Sequence, residues 1–325
     1  MSVSVSSSHH SAAATPAGER GHDHDTVSWR ALAGAYFNLT KPHIMLLLLI
    51  TTLAAILIAA REHPLPPGDF ARVLLVTLLG GAFSSGGAAA LNCYIDRDID
   101  AVMNRTRRRA LPTGTLQPRQ VLVYGLGLSL LAVVVLLLWV NLLAAALALT
   151  GNLYYVVVYT MWLKRSTTQN IVIGGAAGAM PPLVGWAAVT GSLALPALLL
   201  FAIIFLWTPA HFWALALLHR KDYAAVKVPM LPSVAGVTYT KWRILAYTIA
   251  VVITTLLLYV VRAMGPLYLA AALVLGAGFV YMAVTLLRDT EHGGHRRARR
   301  TFMYSNIYLA LLFFAMVADR IVPLR

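Results

Sequence analysis

Apolar residues occur along most of this chain in long runs that short polar segments separate. A helix needs about 20 apolar residues to cross the hydrocarbon core of a bilayer. The predicted spans are residues 42–61, 71–93, 120–140, 143–163, 169–189, 196–218, 242–262, 266–288 and 302–320. The pattern therefore predicts an all-α, polytopic membrane bundle of about nine transmembrane helices, with its termini on opposite sides.

Composition agrees with this class, because 59% of the residues are hydrophobic and only 12% are charged. The formal net charge of +14 would also suit a nucleic-acid-binding protein, but the 26 Lys and Arg residues lie between the apolar runs and form no separate basic domain. We interpret them as topology determinants. The single cysteine, Cys93, is interpreted as a packing residue.

The basic residues also predict orientation. If the N-terminus is cytoplasmic, few of them lie on the external side: Arg61, Arg72, Arg262, Arg320 and Arg325. The positive-inside bias predicts a multi-pass protein of the cell (inner) membrane, with a cytoplasmic N-terminus and an external C-terminus.

The sequence predicts a disordered cytoplasmic tail over residues 1–35 and one transmembrane domain over residues 36–325. The tail is rich in Ser, Ala and His and lacks the apolar core of a signal peptide. Its histidines make weak metal binding an alternative role: His9, His10, His22 and His24.

The polar residues at the end of the second span carry the strongest chemical signal. Asp96, Asp98 and Asp100 lie close together, although the chain has only 12 Asp and Glu residues. On a helix, Asn92, Asp96 and Asp100 line one face and Asp98 points away. Such hard oxygen ligands suit Mg²⁺, which binds one or two carboxylates together with water and phosphate oxygens. We predict a metal and diphosphate site here, with simple pairing to the downstream arginines as the alternative.

A second polar cluster follows the sixth span, from His219 to Tyr223. Its acid, Asp222, is a candidate catalytic residue and second metal ligand. An ion pair with Arg220 or Lys221 is the alternative role. The spacing does not decide between the metal ligand and the ion pair.

Several basic residues near the cytoplasmic ends of spans are candidates for binding a diphosphate. An arginine cluster at positions 105 and 107–109 is typical of segments that contact anionic lipid or set topology, but guanidinium also pairs well with phosphate. The candidates at this stage are Lys41, Arg105, Lys164 and Arg165.

The sixth span contains an aromatic segment with one histidine, from Phe205 to Trp213. If the helix continues to Asp222, His211 lies on nearly the same face as Asp222 and about 16 Å away. His211 and Trp207 are therefore candidate substrate-binding residues. Ordinary packing and a hydrogen bond within the bundle are the alternatives, and an aromatic face such as that of Trp207 also suits an allylic cation.

The motif from Asn92 to Asp100 on a glycine-rich bundle resembles the first motif of the UbiA family of membrane prenyltransferases. The resemblance covers about residues 30–320. Further matching stretches are Lys41-Pro42, residues 170–191, residues 208–217 and residues 229–232. The resemblance implies a helical bundle around a central cavity, with a Mg²⁺ site near its cytoplasmic face.

Within this family, residues 208–217 and 229–232 resemble members that act on haem. This resemblance implies transfer of a farnesyl group from farnesyl diphosphate to a vinyl group of haem b, giving haem o and diphosphate. It further implies contact of His211 with haem, and haem A synthase or terminal oxidase assembly as partners that receive the product.

One position departs from the family pattern. Many relatives carry a second acid four residues after the position of Asp222, whereas this chain has Val226 there and Lys227 next. Lys227 is therefore a candidate for direct diphosphate contact. Two other functions stay open: prenylation of an aromatic quinone or chlorophyll precursor, and secondary transport with the acids as ion ligands.

Overall fold

The computed structural model describes residues 28–289 and 295–321. Nine helices in this part are long and apolar enough to cross a membrane, so the predicted all-α, multi-pass fold is confirmed. Large apolar side chains on their outer faces are exposed, such as Leu138 and Val274, as expected for contact with lipid tails. The four tail histidines lie outside the described residues, and their metal binding stays a prediction.

The spanning helices are α2 (Pro42–Glu62), α3 (Pro67–Ile95), α5 (Pro118–Trp139), α6 with its continuation (Leu142–Ser166), α8 (Asn170–Thr190), α9 (Leu195–Leu218), α12 (Val237–Val260), α13 (Pro266–Leu287) and α14 (His295–Ile321). The shorter helices are α1 (Trp29–Leu39), α4 (Arg97–Val102), α10 (Arg220–Ala225) and α11 (Leu231–Val234). Helix α1 begins inside the segment predicted as a tail.

Prolines mark several helix starts, including Pro42, Pro67 and Pro266. Proline suits the first turn because its φ is already helical and it lacks an N–H that would be unpaired there. Helix α14 begins at His295, before the predicted start at residue 302. Its first turns are basic, so an apolar pattern does not detect them.

Helices α2, α8, α9, α12, α13 and α14 pack around the main core, while α3 packs mainly on α5. Close approach depends on small residues: a Cβ on Gly185 of α8 would lie 2.5 Å from the carbonyl oxygen of Thr52 on α2. Cys93 is buried beside Leu39 and Ala90, in agreement with a packing role.

Two local features shape the cytoplasmic end. Helix α6 (Leu142–Leu153) continues through a π-helix (Tyr154–Leu163) into α7 (Lys164–Ser166). Helix α9 ends at Leu218, and α10 starts only after His219. The helix is therefore not continuous to Asp222, and the predicted shared face of His211 and Asp222 does not hold.

Candidate active site

The acidic face lies at the junction of α3 and α4. The backbone N–H of Asp96 donates to Asn92 O at 2.9 Å, and that of Asp100 donates to Asp96 O at 2.8 Å. This helical path keeps Asn92, Asp96 and Asp100 on one side, and all three are buried. Asp98 points outward with 59% of its side chain exposed, as the spacing predicts.

Among the residues that the structure describes, Asp96 is the most deeply buried acid, with 1% of its surface exposed. Its Oδ2 accepts hydrogen bonds from Asn92 Nδ2 at 2.7 Å and from Lys164 Nζ. Its Oδ1 is buried without a hydrogen-bond partner, and the nearest cationic nitrogen, on Arg165, is 3.6 Å away. A buried carboxylate oxygen is costly to leave unpaired, so this atom is placed to receive a further ligand.

The π-helix and α7 supply side chains that hold this carboxylate. Thr160 Oγ1 donates to Tyr155 O at 2.8 Å, five residues back, and accepts from Asn92 Nδ2 at 3.2 Å. The wider turn of a π-helix is often found at functional sites. Here it leads directly into Lys164, whose ammonium group reaches Asp96.

Asp100 pairs with Arg109 at 2.6 Å, so the alternative interpretation, pairing with a downstream arginine, is found for this acid. Thr106 Oγ1 also donates to the Asp100 carbonyl at 3.0 Å. Burial lowers the pKa of Arg109, but the combined effect of neighbouring groups, chiefly the Asp100 carboxylate, outweighs it and the pKa is raised overall. Arg109 therefore remains a cation beside the acidic face.

Asp98 forms a two-pronged ion pair with Arg165, at 2.6 and 2.7 Å. The hydrogen bond from Arg165 lowers the pKa of Asp98 to about 2. Asp98 itself is exposed and points away from the buried acids, although its partner Arg165 also approaches Asp96 Oδ1 at 3.6 Å. Asp98 is therefore a matched control for Asp96.

Lys41 connects the acidic face with the interior of the bundle. It precedes Pro42 at the start of α2 in a left-handed conformation, with φ of 52°. Its Nζ donates to Asn92 Oδ1 at 2.6 Å, and the same residue lines the central cavity. Asn92 therefore joins Lys41 to Asp96, while its own ligation of metal stays a prediction.

The second polar cluster lies nearby but forms separate contacts. Asp222 accepts from Asn104 Nδ2 at 3.3 Å and lies 3.8 Å from His219 Nδ1, so its partners are not Arg220 or Lys221. Burial and the charge of Arg105 lower the pKa of His219. In residues 28–289 and 295–321, no three His, Cys, Asp or Glu side chains are close enough to hold a metal. Asp222 is thus not clustered with the two buried acids in this structure.

The other basic candidates differ in position. Arg105 is exposed, and its charge opposes the effect of burial, which raises the pKa of Tyr223. Lys227 is also exposed and has a positive φ of 54°. Lys41 and Lys164, together with Arg109, are the cations in hydrogen-bond contact with the buried face.

A cavity of about 290 Å³ opens beside this face, within the bundle. Its walls come from α2, α3, α6, the π-helix, α8, α9 and one residue of α14, and they are largely apolar. Lys41 lines one part, and Trp207, His211 and Phe212 line another. Asp96 and Asp100 lie outside the lining, so Lys41 and Asn92 form the link between the cavity and the acids.

His211 is held in place by both ring contacts and hydrogen bonds. Its ring stacks on Trp207 with centroids 4.2 Å apart, and Phe302 lies 4.7 Å away. Its Nδ1 is 2.8 Å from Ser305 Oγ, while Trp207 Nε1 donates to Ser305 O at 2.9 Å. His211 thus has a hydrogen bond within the bundle and also lines the cavity.

The sequence interpretation missed Thr160, Ser305 and the tyrosine pair of the π-helix. Tyr155 and Tyr159 stack with ring centroids 5.4 Å apart, and both line the cavity. Their spacing by four residues was a usable signal for this pair. Thr160 and Ser305 gave no signal, because their partners are distant in sequence.

Comparison with known proteins places the chain in a family. A model described as the UbiA prenyltransferase family matches residues 48–307. A protein of Gloeobacter violaceus named protoheme IX farnesyltransferase is 52% identical over 286 residues, which cover 88% of this chain and 92% of that relative.

Solved structures show the same fold. A structure described as digeranylgeranylglyceryl phosphate synthase matches with a TM-score of 0.73 at 19% identity, over 89% of this chain and 99% of that one. A UbiA homologue from Archaeoglobus fulgidus bound to DMAPP and Mg²⁺ matches with a TM-score of 0.62 at 15% identity, over 87% and 99% of the two chains. The match of the family model and the identity to the curated relative show that this chain belongs to the UbiA prenyltransferase family.

Proposed function

We propose that this protein transfers a farnesyl group from farnesyl diphosphate to a vinyl group of haem b, giving haem o and free diphosphate. The name of the 52% identical relative supports this assignment. The observation that carries it is the shared cavity, which contacts Lys41 beside the acidic face and the His211 and Trp207 pair on another wall. One cavity therefore offers a polar end for a diphosphate and an aromatic wall for a large acceptor.

The diphosphate binds at the cytoplasmic end, where buried acids and cations alternate. Lys164 and Arg109 each contact one carboxylate, and Lys41 contacts Asn92. These cations offset the negative charge of the leaving diphosphate, and ammonium and guanidinium groups bind phosphate oxygens strongly. Arg105, Arg165 and Lys227 are candidates for outer contacts with the same group.

The donor set fits Mg²⁺ that arrives with its substrate. The unpaired, buried Oδ1 of Asp96 offers one ligand, and Asp100 offers a second carboxylate. Few protein ligands are enough, because Mg²⁺ retains water and binds substrate phosphates. When bound, the metal neutralises charge on the departing diphosphate. Asp222 accepts a hydrogen bond from Asn104, in the segment that follows α4, and remains a candidate for a second-motif role through a phosphate or a water.

The reaction requires an allylic cation that is kept from bulk water. The C–O bond to diphosphate breaks with its electron pair leaving on diphosphate, and the terminal vinyl carbon of haem b bonds to the allylic carbon. The positive charge that this leaves on the other vinyl carbon is quenched by one water molecule, which adds as a hydroxyl group and releases a proton. The largely apolar cavity walls keep bulk water from the allylic cation, and the rings of Tyr159 and Trp207, which line the cavity, stabilise positive charge over their faces. His211 contacts the acceptor.

The protein acts in the cell (inner) membrane with its N-terminus in the cytoplasm and its C-terminus outside. The distribution of Lys and Arg supports this orientation. The active site then faces the cytoplasm, where farnesyl diphosphate is soluble. Haem o passes to haem A synthase or to terminal oxidase assembly.

The direct test is incubation of membranes containing the protein with haem b, farnesyl diphosphate and Mg²⁺, followed by mass analysis of the haem. We expect a farnesylated haem in the complete mixture, and none when Mg²⁺ is chelated before the reaction starts. Unchanged haem in the complete mixture, with the protein folded and present, would contradict the proposal.

A further inference from the structure

The hydrogen bonds of Ser305 define the chemical state of His211. Ser305 is fully buried on α14, and its Oγ lies 2.7 Å from the Phe302 carbonyl and 2.8 Å from His211 Nδ1. A carbonyl can only accept, so the single hydroxyl proton of Ser305 is directed to Phe302. Both bonds form together only if Nδ1 of His211 carries a proton and donates it to Ser305.

A neutral imidazole that is protonated at Nδ1 has its lone pair on Nε2. No described residue forms a hydrogen bond to Nε2, and this atom is not fully buried. His211 lines the cavity, so its free nitrogen belongs to a side chain that borders the space where an acceptor would bind. The lone pair is therefore available to a ligand.

The rings around His211 fix the direction of that lone pair. Trp207 stacks on the imidazole with an angle of 19° between the planes, and Phe302 lies against it at 4.7 Å. Trp207 is itself fixed by its hydrogen bond to the Ser305 carbonyl at 2.9 Å. One serine thus holds both aromatic side chains through two different atoms.

We propose that Ser305 is a positioning residue for an axial ligand: it keeps His211 as the Nδ1–H tautomer, so that Nε2 binds the iron of a metalloporphyrin in the cavity. A histidine that ligates a metal commonly donates its other N–H to such an oxygen acceptor, which orients the ring and raises its basicity. The assignment rests on the proposed function for the identity of the acceptor. The new element is the way in which the iron of that acceptor is held by His211 and Ser305.

The test compares iron protoporphyrin IX with metal-free protoporphyrin IX, by titration into the purified full-length protein while the Soret band is recorded. Ser305→Ala removes the hydroxyl but keeps the carbonyl that binds Trp207. We expect this variant to bind the iron porphyrin about 10- to 100-fold more weakly, with an altered Soret band, since loss of such a supporting hydrogen bond typically costs that much in metal affinity. Its affinity for the metal-free porphyrin should not change.

Two further variants separate positioning from stability. Ser305→Thr keeps the hydroxyl and should restore the wild-type spectrum. Thr255→Val removes another buried hydroxyl, which lies 2.8 Å from the Tyr308 hydroxyl between α12 and α14, and should leave both titrations unchanged. In a His211→Ala background, Ser305→Ala should produce no additional loss, because the two residues act as one unit.

Equal losses for both porphyrins, or an unchanged iron titration and spectrum in folded Ser305→Ala, would overturn the assignment. Turnover measured on the same samples separates this outcome from failure of the proposed function. Iron binding that depends on His211 and Ser305 without any farnesylated product would contradict only the reaction. Product formation with an unaffected Ser305→Ala spectrum would contradict only the axial ligand.

Discussion

Lys41 Nζ lies 2.6 Å from Asn92 Oδ1, which joins the start of α2 to the acidic end of α3. Lys41 holds this position in a left-handed conformation that few residues other than glycine adopt. Backbone strain of this kind persists where surrounding structure enforces it, often at functional sites. Lys41 is also the residue through which the buried acids meet the cavity.

The first prediction concerns this lysine. Lys41→Asn should lower kcat/KM for farnesyl diphosphate by about 10- to 100-fold, because a hydrogen bond to a charged group contributes about 1.5–3 kcal/mol. Asparagine tolerates the left-handed conformation, so the change removes the cation with little effect on the backbone. Steady-state kinetics at varied farnesyl diphosphate measures the effect. Unchanged kcat/KM in the folded variant would remove Lys41 from the diphosphate site.

The second prediction compares two neighbouring acids. Asp96→Asn should abolish turnover while the protein stays folded, because the substitution removes a metal-binding charge from a buried carboxylate. Asp98→Asn should retain activity, since the exposed pair with Arg165 is worth only about 0–1 kcal/mol. Activity is measured across a Mg²⁺ titration with size-exclusion profiles as the folding control. If Asp96→Asn were as active as Asp98→Asn and the wild-type protein at saturating Mg²⁺, the metal site would be contradicted.

The spanning helices and the acidic face could be predicted from the sequence, whereas the exact ends of some helices could not. The apolar runs predicted every spanning helix of the described chain, because burial in lipid requires long helices. The spacing by four predicted the shared face of Asn92, Asp96 and Asp100. The break after Leu218 was not predictable from hydropathy, since His219 and its neighbours are polar whether or not the helix continues. Apolar patterns also end where basic helical turns begin, as at His295.

The supporting contacts of the site could not be predicted for a different reason. Lys164 meets Asp96 across 68 residues of sequence, and Ser305 meets His211 across 94. Such pairs depend on which helices are neighbours and on their rotation. The π-helix adds to this difficulty, because its wider turn changes the helical register between Tyr154 and Leu163.

The third prediction concerns the cavity wall formed by α8. A Cβ on Gly174 would lie 2.3 Å from Tyr159 Cδ2, whereas nothing lies within 4 Å of a Cβ on Gly178. Gly174→Ala should therefore lower the free energy of unfolding by about 1–3 kcal/mol through overpacking. Gly178→Ala should be neutral or slightly stabilising, because alanine favours helix by up to about 1 kcal/mol.

Thermal unfolding in detergent measures both glycine variants under the same conditions. A similar melting temperature for Gly174→Ala and the wild-type protein would show that Tyr159 moves freely. That result would contradict its role as a fixed wall of the cavity.

The fourth prediction concerns topology. A reporter fused after Arg109 should be cytoplasmic, and reporters inserted at Asn141 or fused after Arg325 should be external. The positive-inside distribution of Lys and Arg supports this arrangement. Paired reporters that are active on opposite sides of the membrane measure each position. Fusions at Arg109 and Arg325 on the same side would contradict the orientation.

The central claim is that haem, and not an aromatic quinone precursor, is the acceptor in the cavity beside His211. Its most direct test is one reaction that contains purified protein, Mg²⁺, farnesyl diphosphate and equal concentrations of haem b and an aromatic ring acceptor. Mass analysis of both acceptors should find the farnesyl group on haem alone, and on neither acceptor when Asp96→Asn replaces the wild-type protein. A farnesylated aromatic ring with unmodified haem would contradict the claim.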